Sequence, residues 1–338
     1  MTGNTRDDFI MSPSPHIHRG VDVRAIMRDV ILALLPAVLV GLWFFGLGAL
    51  KVLALAVGGC VGVEWAANRL LGRRGTLRDL SAVVTGVLLA MNLPSTSPWW
   101  LVLIGCLVAI GLAKAIYGGL GCNPFNPALV ARVFLLISFP VPMTRWALPG
   151  GPGTPLDAAT GATPLGAVKE AVALGRGVAQ AETGGTLDLL LGRTGGSLGE
   201  AGALALLAGG LFLLWRGHIR WQIPVGFLGA VALITGACWL ADPGTYADPL
   251  FHLLSGGLLL GAFFMATDMV TSPVTRRGML IFGVGCGVLT AVIRLWGGYP
   301  EGVSFAILLM NAGTPLIDRG VRPRVFGTGR RLHGEAGS

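Results

Sequence analysis

Residues 30–48 read VILALLPAVLVGLWFFGLG, an apolar run without a single charged side chain. An α-helix needs about 20 predominantly apolar residues to cross the hydrocarbon core of a bilayer. This run is long enough to do so, and it is too long for the apolar core of a cleavable signal peptide, which has about 7–15 residues. Similar runs follow it along the chain, so this first run indicates a membrane protein with several helical spans.

The composition of the whole chain agrees with a membrane protein. Hydrophobic residues make up 53% of the 338 residues and charged residues only 12%, about half the charged share of a soluble domain. The 53 glycines also fit, because Gly is more frequent in transmembrane helices than in soluble ones. A net charge of +8 raises the question of nucleic-acid binding. The basic residues stand in short clusters between apolar runs, however, so we interpret them as a topology signal and expect no nucleic-acid partner.

The apolar runs predict ten membrane spans. Three of them, the third, fifth and tenth, are short and interrupted, as the broken helices of transporters are. A Gly-, Pro- and Thr-rich connection, residues 141–197, is too polar to cross a membrane, and we expect one short helix in it near 165–175. The ten predicted spans are residues 29–48, 50–71, 79–94, 98–118, 125–140, 198–215, 220–241, 250–268, 278–296 and 302–317.

The Lys and Arg residues indicate how the chain is oriented. Most of the 25 fall in the N-terminal segment, the even-numbered connections and the C-terminal tail. An excess of Lys and Arg marks the cytoplasmic face of a membrane protein. We therefore expect residues 1–28 and 319–338 to be cytoplasmic and residues 141–197 to lie on the opposite, periplasmic side.

An internal sequence similarity predicts two repeats. Residues 90–98 read AMNLPSTSP and residues 266–273 read ATDMVTSP, and a Gly-Gly pair follows each stretch at a similar distance. This pattern divides the chain into two five-span halves, residues 29–140 and 198–318. An odd number of spans inserts the second half upside down, and inverted repeats usually frame a site near the membrane midplane.

The most informative polar stretch is residues 157–165, DAATGATPL. One interpretation is structural: Asp157 and Thr160 could cap a helix that starts near Pro164, since Pro favours the first helical position. The other is a covalent modification site. No His accompanies these hydroxyl groups to activate them, so we do not expect a catalytic nucleophile here.

The chain resembles the D subunit of the bacterial Rnf electron-transport complex over nearly its whole length. More distantly, it is similar to the B subunit of the sodium-pumping NADH:quinone reductase. The resemblance rests on four stretches: SPH at 14–16, TGATPL at 160–165, ATDMVTSP at 266–273 and GGYPEGVSFAILLMN at 297–311. With the span count, it implies an all-α membrane protein of ten helices, arranged as two inverted five-helix repeats like those of urea transporters.

The resemblance also implies a cofactor. In that family FMN is esterified through its phosphate to the residue that is Thr163 here, which we expect on an exposed, flexible strand. A separate flavin transferase would recognise Asp157, Thr160, Gly161 and Ala162. A second, noncovalent flavin, riboflavin, is known of the wider family, and no residue of this sequence identifies its pocket.

The implied function is a bacterial inner-membrane subunit that carries electrons between ferredoxin and NAD+ while the complex moves Na+ or H+. The sequence has no dinucleotide-binding glycine motif in a strand–helix context and no cysteine cluster. We therefore expect no metal site and no complete active site in this chain alone. Nicotinamide and iron–sulfur chemistry then belong to the partners: a flavin-bearing G-type subunit, membrane A- and E-type subunits, and iron–sulfur B- and C-type subunits.

A second class of function stays open on the scaffold alone. Five-plus-five inverted repeats with broken helices would also suit a passive channel or transporter for a small polar solute. The flavinylation motif favours the redox subunit, because a channel has no use for it.

Charged residues inside predicted spans are the last candidates, because such residues are costly in a membrane and often functional. We expect Arg132, Asp268 and Glu301 to take part in ion or flavin handling. Three further charged residues lie nearer the span ends, where long side chains reach toward the interface. We expect these three, Glu64, Lys114 and Arg294, to do so.

Overall fold

The computed structural model describes residues 22–72, 77–150, 160–181 and 185–322. Within these ranges the chain is mostly helical, which confirms the helical class predicted from the apolar runs. Asp157 lies outside the described residues, as do the predicted cytoplasmic segment up to residue 21 and the tail from residue 323.

The described residues of the first half form five α-helices and one short 3-10 helix, Leu77–Asp79. The α-helices are α1 (Val23–Leu70), α2 (Ser81–Met91), α3 (Trp99–Cys106), α4 (Pro127–Ser138) and α5 (Pro140–Met143). A π-helical segment, Leu107–Ala115, continues α3. Helix α1 covers the first two predicted spans and bends at Gly46, whose φ of 56° and ψ of −136° are not helical. Glycine adopts a positive φ without the steric cost that other residues bear, so Gly46 permits the kink between the two apolar runs.

The polar connection has secondary structure of its own. Strand β1 (Trp146–Ala147) pairs antiparallel with β2 (Thr160–Gly161), a short ladder that the all-α prediction did not include. The expected short helix is present as α6 (Pro164–Ala173), and a further helix, α7 (Thr186–Leu191), follows it. The connection is therefore folded where the structure describes it.

The second half forms six helices. They are α8 (Ala203–Arg216), α9 (Gln222–Ala241), α10 (Pro249–Leu254), α11 (Leu258–Leu260), α12 (Arg276–Trp296) and α13 (Val303–Gly320). A π-helical segment, Gly261–Met265, continues α11. Helix α12 packs along α9, while α1 packs against both α2 and α8. The two predicted halves therefore share one core.

Three of the described helices, α1, α9 and α12, are long and apolar enough to cross a membrane. The outer surface of α1 is apolar, as expected of a helix that faces lipid. Leu32, Leu35, Leu39 and Trp43 are each between 46% and 62% exposed, and their spacing of three to four residues places them on one face of the helix. A continuous exposed apolar stripe of this kind is suited to lipid. The ten-span count and the inverted repeats stay predictions.

The end of α2 at Met91 and the end of the π-helical segment at Met265 lie close together in the core. The two similar stretches, residues 90–98 and 266–273, begin at these ends. Helix α2 stops at Met91, whose carbonyl oxygen accepts a hydrogen bond from the Gly199 amide at 2.7 Å. The next residue, Asn92, is 1% exposed, and its amide nitrogen lies 3.7 Å from the sulfur of Met265. Asn126 donates to the Met265 carbonyl oxygen at 3.3 Å. Side-chain amides thus occupy the place where the helices are interrupted.

Glycines allow α9 and α12 to approach closely. A Cβ on Gly283 would lie 2.6 Å from the carbonyl oxygen of Ile223, and a Cβ on Gly287 would lie 2.5 Å from that of Phe227. Both distances are shorter than van der Waals contact, so the two backbones could not pack this way around larger residues. Small residues play this role at helix interfaces in membranes.

We expect Gly287→Ala to destabilise this helix pair. The added methyl group would force α9 and α12 apart, and overpacking of this kind costs about 1–3 kcal/mol. Gly229→Ala in α9 is the matched control, because a Cβ there meets open space. Thermal unfolding in detergent should show a lower midpoint for Gly287→Ala alone, and equal midpoints for the two variants would contradict the packing.

Candidate functional site

The motif of the polar connection lies in the β-hairpin and the start of α6. Thr160 pairs with Ala147 and Gly161 with Trp146. A Cβ on Gly161 would lie 2.8 Å from a methyl carbon of Leu148, so a larger residue here would have to displace the Leu148 side chain. Thr160 and Ala162 are exposed.

Thr163 is the N-cap of α6. Its Oγ1 accepts a hydrogen bond from the Gly166 amide at 3.1 Å, and Pro164 takes the first helical position, which its fixed φ suits. The interpretation of Thr160 as the cap is therefore wrong, because Thr160 belongs to β2. The expectation of an exposed Thr163 is also wrong, since α6 packs down from its first residue and leaves this side chain 4% exposed.

The first turn of α6 lies beside buried charged groups. Gly256 has a φ of 68°, and a Cβ there would lie 2.7 Å from Leu165, 2.9 Å from a Glu301 oxygen and 3.0 Å from an Arg294 nitrogen. These three side chains therefore surround one glycine. Further along α6, Lys169 donates hydrogen bonds to the carbonyl oxygens of Gly297 and Tyr299. Partial burial lowers the pKa of the Lys169 amine below its usual range.

Two of the predicted charged residues form an ion pair. The guanidinium of Arg132, on α4, donates to the carboxylate of Glu301, just before α13, and also to the Asn92 side-chain oxygen. The other Glu301 oxygen accepts the Gly257 amide at 3.1 Å. The side chains of Arg132 and Glu301 are 7% and 12% exposed, so this pair is held inside the protein.

Glu200 joins this pair, and the sequence reasoning missed it. Its carboxyl group lies near that of Glu301 and accepts a hydrogen bond from the Ser197 hydroxyl at 2.8 Å. Glu200 is 7% exposed. The available signal was a lone carboxylate at the start of the sixth predicted span.

Asp268, the third predicted charged residue, lies apart from that pair. Its oxygens accept from the Val270 amide at 3.3 Å and the Thr271 hydroxyl at 3.4 Å. It lines a largely apolar cavity together with Asn123 and Asn126. The Oδ1 atom of Asn123 is buried and has no hydrogen-bond partner among the described residues.

The expectation that charged residues near span ends reach toward water is wrong for Lys114 and Glu64. Each is 3% exposed. The Lys114 ammonium lies 3.0 and 2.9 Å from the two Glu64 oxygens and 2.6 Å from the Ser81 hydroxyl. Burial of a charge is tolerated when it is paired and hydrogen-bonded, and neighbouring helices supply those partners here.

Arg294 is likewise buried, at 5% exposed. Its two terminal nitrogens donate to the carbonyl oxygens of His252 at 2.6 Å and Ser255 at 3.1 Å. The guanidinium therefore binds the chain around the end of α10 instead of extending to the interface.

We expect Lys114→Met to destabilise the protein strongly. Removing one member of a buried ion pair costs about 3–5 kcal/mol, because the remaining charge loses its partner. Adding Glu64→Leu should restore much of that loss, since the buried charge is then gone. Lys51→Met, at an exposed position of α1, is the matched control. A wild-type unfolding midpoint for Lys114→Met would rule out the pair as a structural element.

The fold and these sites define an integral membrane protein with charged groups buried in its core and a capped helix on its longest connection. A model of the NQR2, RnfD, RnfE family matches residues 10–327. The chain therefore belongs to that family.

Curated relatives agree over almost the full length. A protein of Acetobacterium woodii, named as the D subunit of a Na(+)-translocating ferredoxin:NAD(+) oxidoreductase complex, is 47% identical over 326 residues, 95% of this chain and 96% of the relative. One of Clostridium ljungdahlii, named as the proton-translocating counterpart, is 45% identical over 328 residues, 95% and 97% of the two chains. The D subunit of an ion-translocating oxidoreductase complex of Stutzerimonas stutzeri is 47% identical over 330 residues, 91% and 93%. The resemblance to D subunits is confirmed.

Proposed function

We propose that this chain is a D-type subunit of an ion-translocating ferredoxin:NAD+ oxidoreductase complex, and that FMN is esterified through its phosphate to Thr163. One observation carries the proposal. The last Thr of the TGAT motif is the residue whose hydroxyl faces the first amides of α6, with Oγ1 3.1 Å from the Gly166 nitrogen.

The N-terminus of α6 suits a phosphodiester. The first amides of a helix have no partner within the helix, and the helix dipole favours negative charge at this end. Helix N-termini bind phosphate for these two reasons. Helix α6 has ten residues, enough for the amides to be aligned. FMN bound here would supply the electron transfer, while the chain positions it and sets its electrostatic surroundings.

Attachment requires access to a side chain that is 4% exposed. The neighbouring Thr160 and Ala162 are exposed and offer a transferase its first contact. Asp157 completes the expected recognition sequence. We infer that the transferase acts before α6 packs against the membrane helices, or on a form in which the hairpin is lifted away.

The partners follow from the chemistry that this chain does not carry. The sequence has neither a dinucleotide-binding motif nor a cysteine cluster, so other subunits would bind NAD+ and the iron–sulfur groups. We propose a flavin-bearing G-type subunit, membrane A- and E-type subunits, and iron–sulfur B- and C-type subunits. The distribution of Lys and Arg supports an inner-membrane orientation with both termini cytoplasmic and the flavin-bearing connection periplasmic.

The transported ion is either Na+ or H+. Relatives named for sodium and for protons are almost equally similar to this chain, at 47% and 45% identity, so similarity favours neither. We propose that Arg132 and Glu301, with Glu200, respond to the charge on the flavin or the ion, because they lie buried beside α6. Asp268 is proposed to act separately, at the cavity that it lines with Asn123 and Asn126.

That cavity is the candidate for the noncovalent riboflavin. Ligand pockets are mostly apolar with a few placed polar groups. Here Phe263, Phe264 and Leu88 supply apolar surface, and Asn123, Asn126 and Asp268 are the polar residues beside it. Riboflavin, with a planar ring that carries one N–H donor and a ribityl chain that carries hydroxyl groups, fits this combination.

Membrane vesicles test the function. A strain that lacks the native D-type protein, complemented with this chain and its partner subunits, should regain ferredoxin-dependent NAD+ reduction coupled to ion uptake. Thr163→Ala should lose both, and assays with and without Na+ should identify the ion. Coupled activity in a Thr163→Ala strain would refute the proposed role of the flavin. Solute flux without redox activity would favour the passive channel.

A further inference from the structure

A buried carboxylate near the start of α1 holds a histidine that follows α8. Asp29 is 3% exposed, and its Oδ2 atom lies 2.8 Å from the Nε2 atom of His218. The same oxygen accepts hydrogen bonds from the Nε and a terminal nitrogen of Arg216, at 3.0 and 2.8 Å. Because Arg216 is the last residue of α8, Asp29 fixes the turn after this helix and, with it, the direction of the His218 imidazole.

Asp29 also determines which nitrogen atom of His218 remains available. A carboxylate only accepts hydrogen bonds, so the Nε2 atom of the neutral imidazole must carry the proton that points at Asp29. The Nδ1 atom is then an acceptor, because one ring nitrogen sets the role of the other. Within the described part of the chain, Nδ1 is neither fully buried nor hydrogen-bonded, and the His218 side chain is 12% exposed. One oriented acceptor is therefore free.

His218 lines the cavity proposed for the noncovalent riboflavin, together with Asn123, Asn126 and Asp268. Helix α1, the end of α8 and the turn after it supply apolar side chains to the same wall. These apolar residues are Ile26, Met27, Val30, Leu213 and Ile219. The imidazole therefore belongs to a mostly apolar surface, where a hydrogen bond to a ligand is stronger than it would be in water.

We propose that His218 binds riboflavin in this cavity, with Nδ1 accepting a hydrogen bond from the ring N–H or from a ribityl hydroxyl. This inference rests on the proposed riboflavin site and names a further residue of it. The apolar side chains cover the flat ring, and they cannot fix its orientation. A hydrogen bond to Nδ1 is directional, so His218 holds the ligand in one orientation and slows its release.

Two substitutions of His218 separate the ligand contact from the Asp29 contact. The longer amide of His218→Gln takes the place of Nε2 and can still donate to Asp29, but it leaves the position of Nδ1 empty. The shorter amide of His218→Asn takes the place of Nδ1. On dilution of the purified complex, His218→Gln should release riboflavin about tenfold faster, the expected cost of one hydrogen bond. His218→Asn should release it at close to the wild-type rate.

Riboflavin release is measured as the fluorescence that appears in solution, and the unfolding midpoint shows that each variant is folded. Arg220→Gln is the matched control, because it removes an exposed positive charge from the same connection, and its release rate should equal that of the wild type.

Two results would overturn this inference alone. One is wild-type release in His218→Gln. The other is equally fast release in both His218 variants, which would give the imidazole a purely structural role. A wild-type complex that yields no riboflavin even after denaturation would refute the proposed riboflavin site as well. The FMN on Thr163 is covalent and stays with the protein, so its attachment is judged separately.

Discussion

Replacing Thr163 by Asn is expected to abolish flavin attachment while leaving α6 intact. Asn is among the best N-cap residues, so its side-chain oxygen can accept the Gly166 amide as the Thr163 hydroxyl does. It has no hydroxyl to esterify, however. Thr163→Asn therefore separates the two roles that this position has in our account.

Two further substitutions of Thr163 serve as controls for Thr163→Asn. Thr163→Ser keeps both the cap and the hydroxyl and should retain the flavin. Thr163→Ala loses both, and the lost cap should cost about 1 kcal/mol of stability. In-gel flavin fluorescence after denaturation measures attachment, and thermal unfolding measures stability. Wild-type fluorescence in Thr163→Asn would mean that the flavin is attached elsewhere.

The second large effect is expected at Arg132. Arg132→Met removes the cation that faces Glu301 and leaves that carboxylate buried beside the carboxyl group of Glu200. Breaking a buried pair from one side costs about 3–5 kcal/mol. That is a large share of the roughly 5–15 kcal/mol that stabilises a typical folded protein. We expect a low yield of folded protein and a markedly lower unfolding midpoint.

The double variant tests whether lost pairing is the cause. Arg132→Met combined with Glu301→Gln removes both charges and keeps an acceptor for the Gly257 amide, so it should recover part of the stability. Arg319→Met, at an exposed position near the end of α13, should have no effect. A double variant no more stable than Arg132→Met would show that lost packing, and not the unpaired carboxylate, dominates.

The apolar pattern was sufficient to predict where helices lie, because burial in lipid requires long runs of hydrophobic residues. Pro164 likewise predicted the start of α6 within a residue, since proline fits the first helical position. These are local properties. The depth to which α6 packs is not local, which is why the burial of Thr163 was missed.

The partners of the buried charges could not be predicted for the same reason. Lys114 meets Glu64 across fifty residues of sequence, and Arg132 meets Glu301 across 169. From the sequence alone, a single charged residue near a span end is interpreted as a side chain that reaches the membrane interface. Its partner on another helix becomes evident only in the folded structure. Glu200 had no signal beyond its place at the start of a span, and only the fold brings it to Glu301.

The most direct measurement is the mass of one peptide. Trypsin should release residues 146–169, between Arg145 and Lys169, from the complex produced together with its flavin transferase. Our account predicts this peptide heavier by one FMN less one water, with fragmentation assigning the addition to Thr163 and not to Thr154 or Thr160. An unmodified peptide from an active complex would contradict it.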